Sequence, residues 1–465
     1  MQNKKIFILL PDGVGLRNFS FTNFHEIGQQ KGFDITFWNN TLFNLTELGI
    51  KEINIQNAKS HPMTDILKNA QIQIELNLNI KRSKDTIYNF YRFPFSYSNL
   101  KSALKSTYKN SLIFWNNSEK GLERIRKRIV QSERKTKLYF DSLETLKAEK
   151  PKLVFCTNQR TMLAVAPILA AQDLGIPTAT FIFSWDNLPK ATKIVETDFY
   201  FVWSNHMKNE LLFYYPHIKE NQIRVTGTPQ FETHTQKELL LTREAFFREY
   251  NLDLNKRYIC FSGDDITTSP NDPQYLTDTA EAVIKLNEKG YNLGIIFRRC
   301  PVDFSNRFDA VLSKYSHIIT AISPKWEKKG EAWHDILPTK EDLVLQMNTI
   351  FHTELVVNLG SSMVFDYVSF DKPCCYVNYD VPNSQFPKWT VNNIYKFIHF
   401  RSMPSKDAVL WINKPDEIES CLEKIMTNQA EEVIANAKKW FEKINQHPPK
   451  MASERIWTAI EEIAN

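Results

Sequence analysis

The residues best suited to chemistry follow a short apolar run. Glu354-Leu355-Val356-Val357-Asn358-Leu359 leads into Gly360-Ser361-Ser362, then Met363-Val364-Phe365-Asp366 and Asp371-Lys372-Pro373. The pattern reads as a buried parallel strand, a tight turn, a helix, and a second short strand at Cys374 to Asn378. Ser361 and Ser362 stand where a helix N-cap is expected, and free backbone N–H groups there could hold a phosphate. Asp366 lies one helical turn beyond Ser362, so its carboxylate can face the same crevice. Phosphate donors beside a carboxylate able to bind a ribose diol would grip a nucleoside diphosphate. The same residues also fit an ordinary strand-to-helix junction with a serine cap.

Positioning such a crevice takes a doubly wound sheet, and the rest of the chain is patterned for two of them. A length of 465 residues exceeds one core, so two domains are expected. With 42% hydrophobic and 24% charged residues the composition is that of a soluble globular protein. The formal charge of +5 is too small for this length to imply nucleic acid. Aromatics are abundant (32 Phe, 17 Tyr), which suits large aromatic cores better than a sugar-stacking surface. Cys156, Cys260, Cys300, Cys374, Cys375 and Cys421 show no C-x-x-C spacing and mostly fall in or beside buried strands, as reduced core thiols of a cytosolic protein would. The first apolar run, Ile6 to Leu10, is too short for a signal peptide, and no later run is long enough to span a membrane.

In chain order, Ile6 to Leu10 is a buried strand ending in the loop Pro11-Asp12-Gly13-Val14-Gly15-Leu16-Arg17-Asn18. A helix over 19–31 and a strand at Phe33 to Trp38 follow, the opening of a doubly wound domain whose strand ends carry the ligand. The loop lacks a full G-x-G-x-x-G, so a dinucleotide fingerprint is not supported. Region 57–150 is polar, helical and basic, with Lys101, Lys105 and Lys109 recurring, and contains the aromatic cluster Tyr88 to Phe95. It reads as helices with solvated faces, or as an acceptor or membrane-surface patch. Strands resume at Leu153 to Cys156, Thr178 to Phe183, Phe199 to Trp203 and Ile223 to Val225, and Gly227-Thr228-Pro229-Gln230 opens a linker. A second βα series starts at Tyr258, with strands at Leu293 to Phe297 and Ile318 to Ile322. The chain ends in helices broken at Pro448-Pro449. The expected domains are 1–230, 231–440, and a helix 441–465 packing back on the first.

This order of landmarks resembles the GT-B glycosyltransferases of the bacterial surface-polysaccharide type, a group similar to the glycerophosphotransferases of teichoic acid synthesis and to sugar-nucleotide 2-epimerases. The features that carry it are the Gly-Thr-Pro linker, Ser262-Gly263 after the first strand of the second domain, Arg298 ending a middle strand, and Gly360-Ser361-Ser362 before an acidic helix. It is strongest over 150–380 and weak over 40–150. It implies an α/β fold of two Rossmann-like domains facing a cleft, with a C-terminal helix crossing back. It places Gly360, Ser361 and Ser362 on the donor's diphosphate, Asp366 on its ribose, Ser262 and Gly263 below the diphosphate, and Ser323 to Trp326 against the base. Arg298 would neutralise the departing nucleotide by bidentate contact.

Many retaining members carry two glutamates eight positions apart; here those positions are Asn358 and Asp366. The missing first carboxylate points to an inverting reaction or to a branch outside the retaining group, and an inverting transfer needs a base for the acceptor hydroxyl. The resemblance puts that base on a loop of the first domain: Asp12 first, then Asp186, then His25, with Arg17, Asn158 and Lys190 orienting the acceptor. No metal site is expected. His61, His206, His217, His234, His317, His334, His352, His399 and His447 show no ligand spacing; the Asp264-Asp265 pair could ligate a cation, but the resemblance implies an enzyme that works without a bound metal. No cofactor is expected beyond the nucleotide-diphosphate sugar itself. The expectation is therefore a cytoplasmic glycosyltransferase, with contact to the inner face of the membrane left open, acting on a glycan or lipid-linked acceptor. Its rivals are a CDP-glycerol-type glycerophosphotransferase, a 2-epimerase and a non-catalytic sugar-nucleotide-binding scaffold.

Overall fold

The computed structural model describes residues 4–330 and 336–464. The chain divides into two compact units, Met1–Pro229 together with Ile444–Asn465, and Gln230–Lys443.

The first unit is built on β1 (Lys5–Leu10), β2 (Asp34–Asn39), β3 (Glu52–Asn54), β4 (Leu153–Cys156), β5 (Thr178–Phe181), β6 (Phe199–Val202) and β7 (Ile223–Val225). They form one parallel sheet in the order β3-β2-β1-β4-β5-β6-β7. Continuous apolar strands such as Ile6 to Leu10 suit a sheet covered on both faces, and all five of those residues are buried. The helix expected over 19–31 is two pieces, Leu16–Phe19 and Phe24–Gln30. Thr22 breaks it: its hydroxyl donates back to the Asn18 carbonyl (2.6 Å) and accepts from the Phe24 N–H (3.3 Å). Region 57–150 is four helices, Pro62–Ser83, Leu100–Asn116, Glu119–Glu133 and Lys137–Glu149. Their inner faces (Leu67, Ile74, Ile125, Ile129, Leu146) join the sheet residues Phe7, Val154 and Cys156 in one core. The strand β3 was not legible in its sequence.

The closing helix Ala452–Ala464 belongs to this unit. Trp457 is fully buried there, stacked on Phe24 (4.8 Å) and Phe33 (5.0 Å), and its indole N–H donates to the Phe24 carbonyl at 2.6 Å. Gly28 lets it in, because a Cβ there would sit 2.3 Å from the indole ring.

The second unit contains β8 (Arg257–Ser262), β9 (Leu293–Arg298), β10 (Ile319–Ala321), β11 (Glu327–Lys328), β12 (Ile336–Leu337), β13 (Val356–Asn358), β14 (Cys374–Val377) and β15 (Leu410–Ile412). Six of them form a parallel sheet, β10-β9-β8-β13-β14-β15, and β11 pairs with β12 as a small antiparallel ribbon. The edge strand β15 and the helix Glu417–Met426 after it were not anticipated. Five of the six cysteines are buried and all six are free. No helix among the described residues is long and apolar enough to cross a membrane.

Candidate functional site

In each sheet the strand order reverses beside the first strand, and the loops leaving the strand C-termini there form a crevice. In the second unit the reversal lies between β8 and β13. Three of the anticipated segments meet at that edge: Ser262-Gly263 after β8, Arg298 at the end of β9, and Gly360-Ser361-Ser362 after β13. Ser262 is in register with Arg298, and the Gly263 N–H donates to the Arg298 carbonyl at 2.9 Å. A Cβ on Gly263 would press on Phe297 (3.2 Å) and Phe308 (3.3 Å), so a larger residue would need those rings to give by a few tenths of an ångström.

Arg298 is buried, and its Nη2 donates to both oxygens of Asp342 at 2.8 and 2.9 Å. Its Nη1 is buried and makes no hydrogen bond within the described chain. Asp342, on the first turn of the helix Lys340–His352, also accepts from the Trp326 indole N–H (2.8 Å) and the Lys325 N–H (2.8 Å). One carboxylate thus fixes Arg298, Trp326 and the segment before β11. Its trace in the sequence is the Thr339-x-x-Asp342 cap, in which Thr339 accepts from the Asp342 N–H. Ser323, exposed, lies just before this segment.

The Gly360 turn differs from expectation. Ser361 donates its N–H to Asn358 Oδ1 at 3.0 Å, so this N–H is engaged within the turn instead of facing a phosphate. Ser361 Oγ caps the Met363 N–H (3.4 Å), while Ser362 makes no side-chain cap. The helix Met363–Val368 has only six residues, too short to focus much dipole on an anion. Asn358, which stands where a carboxylate was sought, is a structural staple of the turn. Asp366 does not open toward solvent: it is 2% exposed, with Oδ1 3.0 Å from His234 Nε2. The separation suits an ion pair, but the two atoms are misaligned for a hydrogen bond. In this arrangement the carboxylate serves His234, not a ribose diol. Gly360 has φ +62, and a Cβ there would lie 3.0 Å from Phe400 Cζ. Gly360→Ala is therefore expected to cost about 1–3 kcal/mol, read as a lower midpoint in urea unfolding.

Beside Ser262-Gly263 sits a pair of acids. The Asp264 N–H donates to Asp272 Oδ2 at 2.6 Å, and Arg307 binds the loop through Ser269 O (2.7 Å) and Asp303 (2.8 Å). Burial pushes both carboxyls up to about 7, and for Asp264 the neighbouring Asp272 and Asp265 add to it. A folded-state value above the unfolded ~3.9 means a stability contribution that is full below that value and lost as pH rises through about 7. Asp264→Asn is expected to raise the melting temperature at pH 8, by roughly 1–3 kcal/mol of stability, and to give no gain at pH 4. Melts across that pH range check it.

In the first unit the reversal lies between β1 and β4. Asp12 leaves β1 and caps the Val14 N–H at 3.2 Å; its other oxygen accepts from Asn158 Nδ2 (2.8 Å) and Thr161 Oγ1 (2.5 Å). Gly15 behind it packs on Thr157, where a Cβ would clash at 2.4 Å. Gln159, fully buried, ties this loop to the next by donating to Asn187 Oδ1 (3.0 Å) and accepting from the Phe183 N–H (2.9 Å). Asp186 and Lys190 form an ion pair in that next loop, and Asn187 donates to Asp186 at 2.9 Å. Lys68 reaches the Arg160 carbonyl at 2.6 Å; burial, then Arg160, holds its amine down to about 8, with Asp65 and Asp12 opposing.

No family model matches the chain, and no curated protein matches it. Solved structures do. A putative UDP-N-acetylglucosamine 2-epimerase from Listeria monocytogenes is 12% identical, with TM-score 0.55 over 99% of this chain and 96% of its own. The UDP-GlcNAc 2-epimerase of Methanocaldococcus jannaschii is 15% identical, with TM-score 0.52 over 98% and 99%. A glycosyltransferase from Rickettsia africae is 12% identical, with TM-score 0.52 over 100% and 99%. The fold is GT-B.

Within this GT-B chain the anticipated residues gather in two groups, one per unit. Asp12 and Asn158 touch, Asp186 and Lys190 touch, and Ser262, Gly263, Arg298 and Trp326 are linked through strand register and Asp342. Arg17, half-buried on the helix after the Asp12 loop, stays near its group in sequence. His25 is half-buried against Phe37 (6.0 Å), and burial lowers its pKa, which marks it as packing between helix and sheet. Thr161 and Lys68 carry no sequence signature, and Asp342 shows in the sequence only as a cap residue after Thr339, with nothing to mark its bond to Arg298. Among the described residues no group of three or more His, Cys, Asp or Glu is arranged to hold a metal ion; His334 lies outside them.

Proposed function

We propose that the chain is a glycosyltransferase that moves a sugar from a nucleotide-diphosphate sugar to a glycan or lipid-linked acceptor in surface-polysaccharide synthesis, on the cytoplasmic side. The observation that carries the reading is Arg298: a guanidinium fixed by Asp342 at the C-terminal end of β9, one strand from the sheet reversal, with Nη1 buried and without a partner in the described chain. A diphosphate oxygen supplies what that N–H lacks, and a pre-fixed arginine there stabilises the leaving nucleotide as charge develops. Ser262-Gly263, Gly360 and Ser362 would lie around the diphosphate, and Ser323 and Trp326 toward the base. UDP is the nucleotide to favour, because a protein of this fold from S. aureus, MnaA (13% identity, TM-score 0.52), was solved with UDP. Asp12, oriented by Asn158 and Thr161, would take the acceptor proton in an inverting, metal-independent transfer, with Arg17 and the Asp186–Lys190 pair placing the acceptor.

A second reading, 2-epimerisation of a UDP-sugar, is favoured by the epimerases among the structures of this fold. One experiment separates them. Thermal shift against UDP, GDP, CDP, ADP and dTDP should show selective stabilisation by UDP, and no response to any nucleotide would refute both readings. Incubation with UDP-GlcNAc in D2O then decides: deuterium at C2 marks epimerisation, which breaks the C2–H bond, whereas transfer leaves C2 protonated.

A further inference from the structure

The first unit carries an apolar surface that the sugar-nucleotide reading does not use. On the helix Leu100–Asn116, five large side chains point outward: Leu100 (77% exposed), Leu104 (63%), Tyr108 (40%), Phe114 (76%) and Trp115 (74%). At 3.6 residues per turn they fall within an arc of about 120°. Ser106 and Leu112, off that arc, are the residues buried against the protein. The segment leading into the helix exposes Phe93 (78%) and Tyr97 (58%) as well. An exposed apolar face of this kind, interrupted by Thr107 and Ser111, marks an interaction site.

Its fringe is mostly basic, with Asp65, paired to Lys105 at 2.6 Å, as a carboxylate beside it. No Asp or Glu occurs from Thr86 to Ser118, whereas Arg92, Lys101, Lys105 and Lys109 do. The adjacent helix Glu119–Glu133 adds two exposed arginines fixed to the same face. Arg124 donates to the Trp115 carbonyl (3.3 Å) and to Asn116 Oδ1 (3.1 Å), and Arg128 donates to the Tyr108 hydroxyl (3.1 Å).

We propose that this face rests on an anionic lipid bilayer, with Leu100, Leu104, Phe114 and Trp115 entering the headgroup–acyl boundary and Lys101, Arg124 and Arg128 meeting lipid phosphates. Leucine and aromatic side chains framed by cations suit that boundary. Several basic residues near a negatively charged leaflet attract it additively. A protein partner is the weaker fit, because lysine is depleted from protein interfaces and Asp65, the carboxylate beside this fringe, is already taken by Lys105.

The test is flotation of the full chain with vesicles of phosphatidylcholine alone and of phosphatidylcholine containing about a quarter phosphatidylglycerol. The variants are Leu100→Ser/Leu104→Ser/Trp115→Ser and Lys101→Glu/Arg124→Glu/Arg128→Glu. The wild type is expected to float with the anionic vesicles and much less with the neutral ones. Each variant should lose at least about tenfold in binding while keeping its melting temperature and its response to UDP. No flotation, or equal flotation of the variants, overturns the proposal. So does light scattering that shows a dimer in the wild type and a monomer in the serine variant, which would assign the face to a second copy of the chain. The UDP response is read separately, so failure here leaves the sugar-nucleotide reading standing.

Discussion

Replacing Arg298 with methionine is expected to abolish nucleotide-dependent stabilisation and to cost about 3–5 kcal/mol of folding free energy, because it leaves Asp342 buried without its cation. The two losses have different causes and can be separated. Asp342 still receives the Trp326 and Lys325 N–H groups. An asparagine there removes the uncompensated charge but keeps an oxygen for only one of them, since the Lys325 N–H goes to Oδ1 and the Trp326 N–H to Oδ2, and its NH2 faces the other at a cost of about 1–2 kcal/mol. The double variant Arg298→Met/Asp342→Asn should therefore recover part of the stability in urea melts yet remain blind to UDP by calorimetry, with affinity down about 100-fold or more. Recovery of both would mean that Arg298 only braces the sheet edge, and the donor-site reading would fall.

The second large effect is expected at Asp12. Asp12→Asn keeps the size and most of the geometry of the side chain but removes the basic oxygen, and kcat should fall about 10²–10⁴-fold with UDP affinity unchanged. The three donors around Asp12 constrain how the amide can sit. Its oxygen must take the place that accepts from Asn158 and Thr161, which turns the NH2 toward the Val14 N–H and costs about 1–2 kcal/mol. A stability loss of that size with undiminished turnover would remove Asp12 from the chemistry. The pH–rate profile adds a readout that a structural role would not move: the acidic limb of the wild type should vanish in the variant.

The sheets were legible because buried parallel strands are written as unbroken apolar runs. Ile6 to Leu10, Leu153 to Cys156 and Val356-Val357 each announce themselves. The short strands β3 and β15 do not: Glu52-Ile53-Asn54 and Leu410-Trp411-Ile412 become strands through pairing with a neighbour, not through pattern. Loops at strand ends could be found by their glycines, Gly263 close beside two rings and Gly360 at positive φ. Side-chain direction could not be found in this way. Helical spacing put Asp366 on the face of Ser362, but His234, 132 positions earlier in the sequence, holds it inside. Asn358 read as an absent carboxylate and turned out to be the acceptor that closes its own turn. The hub at Asp342 joins three segments from β9, the stretch before β11 and the helix after β12, a convergence that periodicity alone cannot express.

The return of the chain to the first unit sets an order on its biosynthesis. Phe24 and Phe33 leave the ribosome before any of the second unit, yet the indole that covers them, Trp457, is made only after all of it. The second unit can fold as a contiguous stretch during translation, whereas the first must hold an aromatic face open until Ala452–Ala464 arrives. A nascent chain stalled before Trp457 should thus expose a sticky surface for chaperones to cover, and release from them should coincide with the helix Ala452–Ala464, not with completion of the first sheet.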